Sequence, residues 1–106
     1  MGYYALFYHV VDGFVERRTP FRDAHLAHAR QAANRGELVL GGALAEPPDA
    51  ALIVFHGDSP DAAKAFAGKD PYVCNGLVQR WEVRPWNVVV GANADIPSAT
   101  ASGRVT

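Results

Sequence analysis

The run Tyr3-Tyr4-Ala5-Leu6-Phe7-Tyr8-His9 is apolar or aromatic on both parities. Side chains alternate across an extended chain, so Tyr4, Leu6 and Tyr8 line one face and Tyr3, Ala5, Phe7 and His9 the other. Such a strand has no solvent side, which puts it centrally in a sheet or at a subunit interface. Ala51 to His56 is a second run of this kind, continuous and apolar. A chain of 106 residues suits one domain. Its helices cover one sheet face; the simplest cover for the other is a second copy of the same sheet. A homodimer is therefore expected from patterning alone.

The remaining elements follow from local signals. Asp12-Gly13 marks a turn, with a connection running to about Arg18. Thr19 caps a long helix with Pro20 at its first position, and Gly36 stops it after Arg35. At 3.6 residues per turn, Arg22, Leu26, Ala29 and Ala33 share an inward arc, with His25 at its edge. Glu37 to Leu40 is a strand ending in Gly41-Gly42-Ala43-Leu44, where paired glycines permit a bulge or the close approach of a ligand. Glu46-Pro47-Pro48-Asp49 turns into the strand Ala51 to His56, completing a hairpin. Ser59-Pro60-Asp61 starts a second helix to about Ala67, with Ala62, Ala65 and Phe66 inward, Ala63 beside them and Gly68 as the stop. Asp70-Pro71-Tyr72 is another cap-and-proline start, giving one helical turn to about Cys74 that Asn75-Gly76 closes. Leu77 to Val83 alternates as a strand, Arg84-Pro85 breaks it, and Trp86 to Val90 is a short final strand or arm. The order β-α-β-β-α-β defines an α+β, ferredoxin-like split βαβ domain over residues 1–90, with two helices on one face of an antiparallel sheet. From Gly91 to Thr106 the composition shifts to small and polar residues, which reads as a flexible tail.

Charge and cysteine usage narrow the function classes. The formal net charge is -1, with no basic stripe or acidic tail to suggest nucleic acid or a membrane surface. The single cysteine, Cys74, excludes a disulfide scaffold. No apolar run reaches membrane-spanning length, and the N-terminus lacks a basic region and reads as a strand. A soluble, cytoplasmic protein is expected.

Chemistry-bearing residues concentrate on the long helix. Arg22 and His25 are three apart, hence neighbours beside its apolar stripe. An imidazole titrates near neutral pH and can take or give a proton under cell conditions. Arg22 is placed to bind an anionic or phenolate oxygen or to hold an acid; a stem lying along the sheet explains it equally. His25 also has a plain reading as a satisfied core histidine. His28 points well off the inward arc, and His9 and His56 lie on strands without matching spacing, so no metal site is expected. Cys74 has no basic cluster to lower its pKa and reads as a small hydrophobe. Gly41-Gly42 lacks the strand-to-helix context of a phosphate loop, and no nucleophile elbow or cofactor motif is visible.

Several short motifs, in order and spacing, resemble the YciI-like family. They are Met1-Gly2-Tyr3-Tyr4-Ala5-Leu6-Phe7, the Arg22-Asp23-Ala24-His25-Leu26 helix, Gly41-Gly42, Asp70-Pro71-Tyr72-Val73, Gly76-Leu77 and Glu82-Val83-Arg84-Pro85-Trp86. The resemblance covers Met1 to about Val90. It implies a ferredoxin-like subunit of the dimeric α+β barrel superfamily and a His–Asp centre beside the helix–sheet cleft. The matching residues are His25 and Asp70. It also implies, for a few members, lyase activity on chlorinated hydroxyquinols by dehydrochlorination.

A carboxylate on one ring nitrogen would fix the tautomer and leave the other nitrogen for substrate. Capping alone also explains Asp70. The expectation is a small-molecule enzyme using His25 and Asp70 for acid–base chemistry of elimination, dehydrochlorination or isomerisation type, with no cofactor and no metal. Arg22, Gly42 and Tyr72 are the substrate-binding candidates, although Tyr72 reads first as a packing aromatic and the glycines as a bulge. The alternative is a non-catalytic binding or regulatory module on the same fold. A weaker third reading is a cofactor-free oxygenase.

Overall fold

The computed structural model describes residues 1–91 of the 106. Beyond Gly91, the expected tail lies outside them. Strands β1 (Gly2–Val10), β2 (Leu38–Ala43), β3 (Ala50–Gly57) and β4 (Val78–Trp86) form one sheet in the order β2-β3-β1-β4. Every pairing is antiparallel. Helices α1 (Phe14–Arg17), α2 (Arg22–Asn34), α3 (Asp61–Lys69) and α4 (Pro71–Cys74) complete the ferredoxin-like arrangement. No helix among the described residues is long and apolar enough to cross a membrane.

The two parities of β1 meet different surroundings. Leu6 and Tyr8 are opposite Ile53 and Ala51 and lie in the core beneath the helices, with Phe14, Phe66 and Leu77. On the other face, Tyr3, Ala5 and Phe7 are opposite His56, Val54 and Leu52. Ala5 and Val54 are buried among larger neighbours, whereas Phe7 and Leu52 are half-buried and Trp86 is 47% exposed.

The stretch between β1 and α2 is more helical than its sequence suggests. Gly13, at φ 76°, opens α1, and a 3-10 turn over Thr19–Phe21 joins α1 to α2. Thr19 makes no side-chain cap and α2 begins at Arg22. Helical turns that already precede Thr19 leave no free N-terminus for it to cap.

The inward face of α2 is also rotated from the expected arc. Ala32 is fully buried, His25, His28 and Ala29 are half-buried, and Arg22 and Ala33 are exposed. Positions 25, 28, 29 and 32 make an i, i+3, i+4, i+7 stripe. Two histidines hide it from a reading that looks for apolar side chains. His28 is therefore not off the packed face: its Nε2 lies 3.0 Å from the Phe66 carbonyl and its ring stacks on Phe66 at 4.3 Å.

Three other boundaries move for local reasons. Gly68 lies within α3, which runs to Lys69. The helix stops because Asp70 precedes a proline and takes an extended backbone, φ -66° and ψ 126°. On α3, Ala63, Phe66 and Ala67 are buried and Ala65 faces out. Gly41 and Gly42 belong to β2, and the irregular pairing falls before them, between Leu38 and Leu40. Pro85 does not end β4, which continues to Trp86, because β4 is an edge strand where a missing N–H is tolerated.

Candidate active site

Asp70 carries two jobs with one side chain. Its Oδ1 accepts the Tyr72 backbone N–H at 3.0 Å, the N-cap bond of α4, with Pro71 in the first turn. The same oxygen lies 2.8 Å from His25 Nδ1. The other oxygen, Oδ2, accepts the Tyr8 hydroxyl at 2.8 Å. The capping and pairing readings of Asp70 are thus both correct. The carboxylate is fully buried, at 0% exposure, and three donors from three different elements offset its lost hydration.

This surrounding assigns the proton on His25. A carboxylate oxygen accepting a backbone N–H calls for a donor from the imidazole as well, so Nδ1 carries the hydrogen and neutral His25 keeps a lone pair on Nε2. Among the described residues, no hydrogen bond reaches Nε2. The ring orientation is fixed from the side too. His25 stacks on Tyr72 at 3.9 Å and 8°, and Phe14 meets Tyr72 edge-on at 5.4 Å.

Tyr8 reaches Asp70 from the middle of the sheet. Burial, then the negative charge of Asp70, pushes its hydroxyl well above the ordinary tyrosine range, so it stays protonated and donates. Burial also raises Tyr72, while the guanidinium groups of Arg18 and Arg22 act in the opposite direction.

A cavity of about 230 Å³ lies against this pair. His25 lines it and is 17% exposed, so the ring is reachable while the carboxylate behind it is not. Leu26, Ile53 and Phe66 give it apolar walls; Arg18, Arg22 and Tyr72 add polar groups. All five residues singled out from sequence meet here: His25 and Asp70 in contact, and Arg22, Gly42 and Tyr72 in the lining.

Two further site residues, Tyr8 and Arg18, are not among the sequence candidates. Tyr8 reads from sequence as one side of a two-sided apolar strand, but a buried tyrosine hydroxyl needs a partner and that need is the signal. Arg18 sits in a stretch read as loop. Gly41 is opposite Ile53 on the helix side, and a Cβ there would lie 3.1 Å from Ile53 Cγ2, whereas one at Gly42 would meet nothing within 4 Å. The remaining candidates lie elsewhere. His9 and His56 occupy the opposite sheet face, and Cys74 is exposed rather than packed as a small hydrophobe. Among the described residues no three His, Cys, Asp or Glu side chains cluster as metal ligands would.

Fold and buried pair together define a ferredoxin-like α+β protein with an imidazole–carboxylate pair beside its cleft. Within that class, the chain belongs to the YCII-related domain family, whose model matches residues 1–87. It is 31% identical over 84 residues to protein YciI of Escherichia coli O6:H1, covering 71% of this chain and 86% of that protein. The same values hold for protein YciI of Shigella flexneri. Among solved structures it is similar to 5-chloro-2-hydroxyhydroquinone dehydrochlorinase from Burkholderia phenoliruptrix, in complex with 2,5-dihydroxybenzoquinone. That match has a TM-score of 0.66 at 18% identity, covering 80% of this chain and 93% of the other. A candidate antibiotic biosynthesis monooxygenase from Nitrosomonas europaea matches with a TM-score of 0.57 at 11% identity, covering 85% of this chain and all of the other. At these identities the structural likeness is one of fold.

Proposed function

We propose that this protein is a small acid–base enzyme in which His25, oriented by Asp70, moves a proton to or from a small polar or aromatic substrate held in the adjoining cavity. The observation that carries this reading is the 2.8 Å contact of His25 Nδ1 with a fully buried carboxylate, at the wall of a 230 Å³ cavity. A neutral imidazole with its Nδ1–H so held offers Nε2 as the base. Asp70 then stabilises the imidazolium that forms. In an elimination, Nε2 takes a proton from the substrate, and the electron pair left behind expels a leaving group from a neighbouring atom. In an isomerisation the same proton returns at another position. Arg22, Tyr72 and the Gly42 backbone serve the substrate side. The dehydrochlorinase of the same fold adds dehydrochlorination to the reaction types worth assaying.

The test is turnover of a panel of hydroxylated and chlorinated aromatics, followed by mass analysis, with His25→Ala and Asp70→Asn alongside. Loss of turnover in both variants supports the pair; turnover retained in both removes it. Saturable binding with no product from any compound would instead favour a non-catalytic binding module, a reading supported by the same cavity.

A homodimer is part of the proposal. Among the described residues, Phe7, Leu52 and Trp86 leave an apolar sheet face without a helix over it, and an uncovered patch of this kind is typical of an interface. Light scattering should give twice the monomer mass, and Phe7→Glu should halve it. A monomeric wild-type protein would refute the dimer and leave the site untouched.

A further inference from the structure

The cavity is not uniformly apolar. Two guanidinium groups line it, Arg18 from the junction after α1 and Arg22 from the first turn of α2. Among the described residues neither has a carboxylate partner; the ion pairs there are His25–Asp70 and Arg35–Glu37. Arg18 is half-buried with its guanidinium 5.4 Å from the Phe14 ring centroid, a contact that holds it at the cavity rather than in open solvent. Both act electrostatically on the Tyr72 hydroxyl, so the two cations and that hydroxyl belong to one polar end. Apart from His25 and Tyr8, the rest of the lining is apolar side chains, Leu26, Ile53 and Phe66 among them, and the backbone of Gly41 and Gly42.

Charge and volume together select a ligand. A guanidinium is always protonated and its fork of N–H donors matches a carboxylate. A carboxylate is ionised at neutral pH, whereas a simple phenol, near pKa 10, is not. An apolar cavity of about 150 Å³ is known to hold benzene, so 230 Å³ takes one substituted ring. We infer that the site recognises a monocyclic aromatic carboxylate, with its carboxylate held by Arg18 and Arg22 beside the Tyr72 hydroxyl and its ring against Gly41 and Ile53. This rests on the acid–base reading of the site only for the step at His25; the recognition stands apart from it. Gly41 sets the size limit, because any side chain there enters the space against Ile53, with Cβ 3.1 Å from Cγ2.

Calorimetric titration with benzoate and its neutral isostere benzamide tests the recognition directly. Wild-type protein should bind benzoate at least tenfold more tightly, and the preference should fall to less than threefold in Arg18→Met/Arg22→Met, which keeps the apolar stems. Arg22→Met alone, at an exposed position, should lose part of it. His28→Ala, outside the cavity lining, should keep it, and Gly41→Val should weaken both probes together. Equal affinity for the two probes in the wild type, no binding of either at millimolar concentration, or a preference that survives the double variant would each overturn the inference. Benzoate preference without turnover of any hydroxybenzoate upholds recognition and counts against catalysis. Turnover confined to uncharged substrates does the reverse.

Discussion

His25 and His28 stand three residues apart on α2, and their surroundings differ in two respects that matter. Both are half-buried, both stack on an aromatic ring, and both have one ring nitrogen in a hydrogen bond. His28 is tied through Nε2 to the Phe66 carbonyl, a neutral acceptor. His25 is tied through Nδ1 to a buried carboxylate and lines a cavity that His28 does not. A carbonyl orients a ring; a carboxylate also stabilises positive charge that develops on the ring during a proton transfer. The same residue type on the same helix thus serves packing at one position and, under the proposed function, proton transfer at the other.

The contrast should be largest in turnover. His25→Ala is expected to lower kcat by about 10²-fold or more, the usual contribution of a positioned acid or base. His28→Ala should change kcat by less than about threefold. Equal losses in the two variants would erase the distinction. Stability should separate the two anchors next. Asp70→Ala strands the Tyr8 hydroxyl and the Tyr72 N–H, each costing about 1–3 kcal/mol when buried and unpaired. Its melting temperature should fall by roughly 10 °C or more. Removing the His28 ring forfeits one hydrogen bond to a carbonyl and a stack, about 1–2 kcal/mol.

Alkaline pH gives a smaller effect with a definite sign. Tyr8 is held above the ordinary tyrosine value of 10.0. The unfolded chain therefore releases this proton above about pH 10 while the folded chain keeps it. The stabilisation is complete below that pH and declines above it, by about 1.4 kcal/mol per pH unit for this one group. Thermal scans from pH 9 to 11 should show a shallower decline in Tyr8→Phe than in the wild type. Parallel declines would detach Tyr8 from the carboxylate. The finest discrimination is the tautomer: nitrogen NMR should find the proton of neutral His25 on Nδ1 and that of His28 on Nε2. Matching tautomers would mean that the two anchors are not the ones described.

The sequence made some of this legible and concealed the rest for identifiable reasons. The order of elements along the chain and both long helices follow from apolar runs and proline-marked starts, and these signals are local. Asp70 was visible because a cap before proline has its own signature, and its pairing with His25 came from family resemblance. The face of α2 was misjudged because a search for apolar side chains passes over two histidines that bury their rings. Tyr8 and Asp70 are 62 residues apart in sequence, so no spacing rule joins them. Arg18 was hidden by helical structure forming in a stretch marked only by its turn residues.

Because one oxygen of Asp70 both starts α4 and steadies the His25 ring, the protein has no separate way to lose one without disturbing the other. Fraying of that single helical turn would release the imidazole before the sheet came apart. Heat inactivation should therefore track the opening of α4, read by amide exchange at Tyr72, and precede global melting by several degrees. A fold built this way carries its own early warning of thermal damage, written into one of its shortest helices.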